Sequence, residues 1–128
     1  MREIIKTISI PVDGKPRDFR LTKLDAFSGV SLLRLMARLP EMDASVEALL
    51  SGLSDSEIRS LMTTCLQHCE VLLPAGWMPV MTRGEWSFPE LEHDTAVCLK
   101  LTIEEVLWTL SGFFSAGVSA SRSETPAS

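Results

Sequence analysis

Residues 4–24, "IIKTISIPVDGKPRDFRLTKL", constrain this chain more than any other stretch. Alternation sets Ile4, Ile8, Ile10 and Val12 on one side of an extended segment, with Lys6 the one interruption. Asp13-Gly14 supplies two residues that tolerate positive φ, and after it Phe19 and Leu21 alternate with Arg20 and Thr22. The pattern predicts a β-hairpin over residues 3–23, apolar on one face and charged on the other. Pro11 and Pro16 cannot donate ladder hydrogen bonds, so they belong near the turn or on an edge. Two strands alone are marginal in water, and the rest of the chain must therefore cover the apolar face.

That remainder reads as helices. Asp25 is positioned to cap a helix over 26–39, whose apolar residues Phe27, Val30, Leu32, Leu33, Leu35, Met36 and Leu39 fill an arc broad enough to predict that it is mostly buried. Gly29 inside it suggests close packing at that point. "DASVEALLSGL" predicts a short helix with Asp43 as cap and Gly52 as terminator. "LSDSEIRSLMTTCLQHCEVLL" predicts a longer one, opened by a Ser54/Glu57 capping box. Residues 74–89 break all periodicity, and Val80–Thr82 is a candidate strand beside the hairpin. A helix is predicted from Ser87, with Glu90 and Glu92 in its first turn and Lys100 near its end. Thr102 and Glu105, in capping-box spacing, then start a last helix through Phe114. The polar stretch 118–128 predicts a disordered tail. The fold class expected is α+β: a single mainly α-helical domain, 1–117, of four or five helices with an N-terminal β-hairpin.

Composition narrows the function. A chain of 128 residues with 45% hydrophobic and 23% charged residues can bury one core. It has no apolar run of about 18 residues and no secretion signal at its start, so neither membrane nor export is expected. The net charge of −5 disfavours nucleic acid as a partner. Charge is also uneven: residues 1–40 sum to +4 and the remainder to −9, a polarity suited to head-to-tail homo-oligomers or to an oppositely charged partner.

Chemistry finds little purchase. "CLQHCE" holds Cys65, His68 and Cys69, but on a helix both thiols fall in the middle of the apolar stripe made by Ile58, Leu61, Met62 and Leu66. A zinc site needs a second short-spaced pair, and the remaining Cys98 and His93 lie five apart on another predicted helix. Buried, inert thiols are expected, with no metal and no other cofactor. No nucleophile elbow, phosphate loop or convergent acid pair is present, and Glu104 and Glu105 read as dipole-complementing acids of a first helical turn. The expectation is a protein that is not an enzyme. "GWMPVMTRGEWSF" stands out instead, because Trp and Met make adaptable, high-area binding surfaces.

Two stretches, "DGKPRDFRLTKLDAFSGVSLLRLM" and "LTIEEVLWTLSGFF", give the chain a resemblance to the tail assembly chaperones of long-tailed bacteriophages. The first is a hairpin feeding a helix through "LTKL"; the second is a closing helix with an aromatic finish. The resemblance implies a non-catalytic protein of the infected host cytoplasm, absent from the mature virion. It would bind the tape measure protein, hold its apolar helices soluble and recruit tail tube protein. Trp77, Met78, Met81 and Trp86 are the expected contacts, followed by Phe113 and Phe114, with Arg34 and Arg38 adding polar edges. The alternative is a small virion structural or head-to-tail connector protein, in which the two charged halves stack in a ring. A regulatory adaptor with no phage role is a third reading.

Overall fold

The computed structural model describes residues 4–115; the tail predicted over 118–128 lies outside them. The hairpin forms from β1 (Ile5–Val12) and β2 (Lys15–Thr22), with Ile8 opposite Phe19 and Pro11 opposite Pro16. Asp13 (φ 52°) and Gly14 (φ 78°) both take positive φ, the turn whose twist matches that of the flanking strands. Ile10, Val12, Phe19 and Leu21 form its buried row.

The fold is α+β, as the pattern predicts, with α1 (Ala26–Met36), α2 (Val46–Gly52), α3 (Asp55–Leu66) and α4 (Thr95–Ser115). Its sheet is larger than a hairpin. β3 (Cys69–Leu73) and β4 (Gly76–Pro79) extend it in the antiparallel order β1-β2-β3-β4, while β5 (Met81–Thr82) and β6 (Glu85–Trp86) make a separate small hairpin. The strand expected at Val80–Thr82 thus does not join the first hairpin.

Three helical expectations are corrected. The helix starting at Asp55 stops at Leu66: the N–H of His68 donates to the Cys65 carbonyl, the carbonyl of His68 accepts from Thr22, and the chain leaves as a strand. Phe19 then faces Val71 and Leu21 faces Cys69, so the backbone of β2 gains a partner that a continuing helix would have denied it. "CEVLL" is too short for its apolar run to distinguish the two periods. The two helices predicted after Ser87 are a short 3₁₀ turn, Pro89–Leu91, followed by the single long α4. Asp94 Oδ1 accepts from Val97 N at its start, whereas Thr102 Oγ1 donates to the Cys98 carbonyl inside the helix and caps nothing. Finally, α1 is not mostly buried. Leu32 and Met36 are covered, but Phe27 is 88% exposed and Val30 57% exposed, because the apolar arc is wider than the one side on which α3 and α4 pack.

The caps sort by chemistry. Ser45, rather than Asp43, accepts from Ala48 N at the start of α2, and Asp43 instead accepts from Ser45 N. A Cβ at Gly52 would lie 2.2 Å from Leu39 Cδ2, so Gly52 lets α2 close against the residues that follow α1; a Cβ at Gly29 would meet nothing within 4 Å, contrary to the packing expected there. The Ser54/Glu57 capping box is present in both directions.

Two clusters share the walls of α3 and α4. One joins the sheet to Leu66, Leu91, Val97 and Leu101; the other joins α1 and α2 to Leu61, Cys65, Val106 and Leu110. Ser54→Ala removes the cap that starts α3, the helix common to both. It is expected to destabilise the domain by about 1 kcal/mol, seen as a lower urea midpoint at unchanged slope.

Candidate functional site

The irregular segment that stands out in the sequence divides between two faces of the sheet. Trp77 lies opposite Leu72 on the outer face, where the Arg20 guanidinium sits 4.3 Å from its ring centroid and also donates to Glu70 Oε1 from Nε at 2.7 Å. Met78 lies opposite Val71, at the rim of the inner face, and is exposed. Met81 and Trp86 face each other in the small hairpin, Met81 buried and Trp86 packed against the sheet cluster. Of the four expected contacts, only Met81 and Trp86 come together.

What holds them is a second tight turn. Arg83 (φ 52°) and Gly84 (φ 79°) repeat the positive-φ pair of the first hairpin. The Gly84 N–H donates to Gln67 Oε1 at 2.7 Å, tying the turn to the end of α3, and Thr82 Oγ1 lies 2.8 Å from Ser87 Oγ across the hairpin. The hairpin thereby becomes one wall of a groove of about 510 Å³, opposite α3 and the start of α4. Met62, Leu66, Met81 and Trp86 line it, Leu50 and Ile58 continue its apolar surface, and Asp55, Arg59 and Glu92 stand among its polar lining. Leu50 is 57% exposed. Met62 and Ile58 escape the sequence reading because helical spacing assigns them to a buried stripe, and Leu50, on α2, carries no local signal of its own. Only the position of the hairpin reveals which part of that stripe stays open.

A second groove, of about 590 Å³, runs between α1 and the end of α4, lined by Val30, Leu33 and Phe113 with Lys23 and Thr109. Gly29 also lines it, consistent with the free space around that residue. Phe113 and Phe114 pack edge to face with centroids 5.5 Å apart, and Phe114 is 45% exposed. Arg34 is exposed on α1, and Arg38, one turn on, pairs with Glu57.

The thiols are buried and free, as expected, but Cys65 and Cys69, expected on one helical stripe, are divided between α3 and β3, while Cys98 lies on the separate helix α4. Burial pushes the Cys65 and Cys69 thiols far up and Cys98 to about 11, which leaves them protonated and unreactive at neutral pH. Cys69 Sγ donates to the Cys65 carbonyl and Cys98 Sγ to the Leu91 carbonyl, each at 3.3 Å. His68 Nδ1 lies 2.9 Å from the Thr64 carbonyl. Among the described residues no group of three His, Cys, Asp or Glu side chains is placed to hold a metal ion.

Glu105 departs furthest from expectation. It is fully buried, and neither carboxyl oxygen has a hydrogen-bond partner. Burial raises its pKa to about 8, and Lys6 draws it partly back. Comparison of the chain with protein-family models, curated proteins and solved structures gave no match.

The ionisation of Glu105 sets a pH dependence. In the unfolded chain it releases its proton near the ordinary value of 4.5, whereas the folded chain holds it up to about 8. Between those values the folded state binds more protons, so stability falls as pH rises through the window and levels off above it. The loss is expected to be on the order of 5 kcal/mol, from about 3.5 pH units between the two values at about 1.4 kcal/mol each. Glu105→Gln should flatten that slope in urea titrations across the window; an unchanged slope would remove Glu105 as its source.

Proposed function

We propose that this protein is a non-catalytic helix-binding assembly chaperone of the phage-tail type. The observation that carries the reading is the open groove between α3, the β5–β6 hairpin and the start of α4, floored by Met62, Met81, Leu66 and Trp86. Its Met and Trp side chains adapt to different apolar shapes, and a groove of this kind accepts an amphipathic helix by its apolar stripe. A tape measure protein is a long chain of such stripes, which aggregate until the tail tube covers them. Shielding them requires contact area and reversibility, and no reacting group.

Several features support the reading. The groove is built from side chains that pack against the domain core, so it is preorganised before a partner arrives. The one thiol in its lining, Cys98, stays protonated at neutral pH, which suits a surface that must release its cargo unmodified. No helix among the described residues is long and apolar enough to cross a membrane. The proposed setting is the host cytoplasm, with tape measure protein bound in the groove and tail tube protein recruited later.

Leu50 and Trp77 separate this reading from a binding surface on the outer sheet face. Leu50→Lys alters an exposed residue of the groove, so the fold should hold while capture of a co-expressed tape measure protein drops by roughly tenfold or more. Trp77→Ala, on the opposite face, should leave capture within about twofold of the parent. Co-purification with the soluble partner is the readout. Equal loss from both variants, or from neither, would reject the groove as the docking site.

A further inference from the structure

β1 is an open edge of the sheet. The order β1-β2-β3-β4 leaves it paired on one side only, and among the described residues no strand or loop outside β2 makes a backbone hydrogen bond to Ile5–Val12. The N–H of Lys23 donates to the Ile4 carbonyl at one end of the hairpin, and the two-residue turn closes the other end between Val12 and Lys15. The even-numbered residues of β1 therefore bond to β2. Ile5, Thr7 and Ser9 point both N–H and C=O outward from the edge, and Pro11, which has no N–H, ends the row of donors. The opposite edge, β4, is four residues long and ends at Pro79, a form that resists pairing, whereas β1 runs for eight.

The side chains of β1 determine what can pair there. Its core-facing row loses cover toward the start: Val12 is buried, Ile8 half-buried and Ile4 56% exposed. Lys6 stands in this row opposite Leu21, and its ammonium lies 3.6 Å from Glu104 Oε1, on the carboxylate that Lys100 also reaches at 3.5 Å. Two ammonium groups share one carboxylate, with Lys23 over the same Trp108 ring as Lys6. A wholly apolar strand laid along β1 would cover Lys6 and give it no further partner, whereas an acid facing it would complete the pairing.

We propose that β1 is a strand-addition site for an extended segment of a partner protein, one whose α4-facing residues are apolar except for an Asp or Glu set against Lys6. The outward N–H and C=O groups of Ile5, Thr7 and Ser9 hold its main chain, and Lys6 selects its side chains. A second copy of β1 does not meet the requirement. In every antiparallel register its core-facing row sets Ile4, Ile8, Ile10, Val12 or another Lys6 against Lys6, and never an acid. The inward lysine therefore rejects apolar strands, this chain's own among them, and admits an acidic one. None of these residues lines the groove of Met62 and Trp86, so the edge is a separate site from the one that holds helices.

Amide hydrogen exchange of the full chain, followed by NMR with a blocked peptide of the length of β1 as probe, tests the site. The peptide alternates Val with Thr and carries one Glu in place of a Val, so that it can face Lys6. In the free chain the amides of Ile5, Thr7 and Ser9 should exchange far faster than those of Lys6, Ile8 and Ile10, which donate to β2. Saturating peptide should slow those three by roughly tenfold or more. N-methylation of the peptide amides that face β1 should abolish the effect, and methylation of the alternate amides should preserve it. The same peptide with Lys in place of its Glu should bind roughly tenfold more weakly. Ser9→Pro fills the free edge without removing a bond to β2, so it should fold as the parent does by circular dichroism and lose the peptide. Slow exchange of Ile5, Thr7 and Ser9 in the dilute free chain overturns the proposal, as do equal effects of the two methylated peptides or equal binding of the Glu and Lys peptides. Protection that appears only as protein concentration rises assigns the edge to a second copy and overturns it as well.

Discussion

The pairing of Leu21 with Cys69 governs the architecture. It requires α3 to end at Leu66 and the chain to turn through Gln67 and His68 into β3, and it places Val71 beside Phe19 in the buried row of the sheet. β4 then returns along β3, and the short β5–β6 hairpin is brought under the end of α3, where Gln67 accepts from Gly84. Had α3 continued as a helix through Leu73, β2 would have lost its partner and nothing would have delivered Met81 and Trp86 to the flank of Met62. The groove therefore follows from a strand pairing some distance from it.

The same pairing explains how one helix serves two layers. α4 lays Val97, Cys98 and Leu101 against the sheet and Val106 and Leu110 against α1 and α2. Over its 21 residues, Leu107, turned away from the side that buries Val106 and Leu110, and Phe114, next to its last residue, stay exposed. α1 shows the opposite economy. It touches α3 and α4 along a narrow side, and the apolar residues beyond that contact, Phe27 and Val30, face solvent. Burying a Phe side chain contributes about 1.5–3 kcal/mol, a gain the domain forgoes at Phe27 because α1 meets its neighbours along one side only.

The sequence was most legible where a residue type has one strong local meaning. Asp13-Gly14 marked the first turn, Ser54 and Glu57 the start of α3, and the alternating run the hairpin. It misled where local signals compete with tertiary partners. "CEVLL" satisfies both helical and strand periods, and only the free edge of β2 decides between them. Thr102 and Glu105 have the spacing of a capping box, yet Asp94 had already started the helix, and nothing local announces that a cap is redundant. Of the expected site, Met81 and Trp86 were drawn together because one hairpin carries them, whereas Trp77, four residues before Met81, falls on the other side of the sheet. The lining from α3 could not be read at all, since spacing distinguishes one face of a helix from another but not which part of the buried face stays uncovered.

Two residues that break their own patterns answer each other. Lys6 interrupts the apolar row of β1, and Glu105 interrupts the buried row of α4. In the fold Lys6 is close enough to Glu105 to draw its pKa down, and lies 3.6 Å from Glu104 Oε1 and 6.0 Å from the Trp108 ring centroid, with Lys23 over the same ring at 5.4 Å. A carboxyl with no hydrogen-bond partner weakens the core. Lys6 offsets part of that cost electrostatically, and the protonated state that burial favours avoids most of the rest. The dependence is one-sided: without Lys6 the carboxyl loses its nearby cation, whereas without Glu105 the half-exposed Lys6 keeps its ion pair with Glu104. What ties the sheet to the middle of α4 is Lys6 itself, through Glu104 and the Trp108 ring, with the buried Glu105 carboxyl beside them.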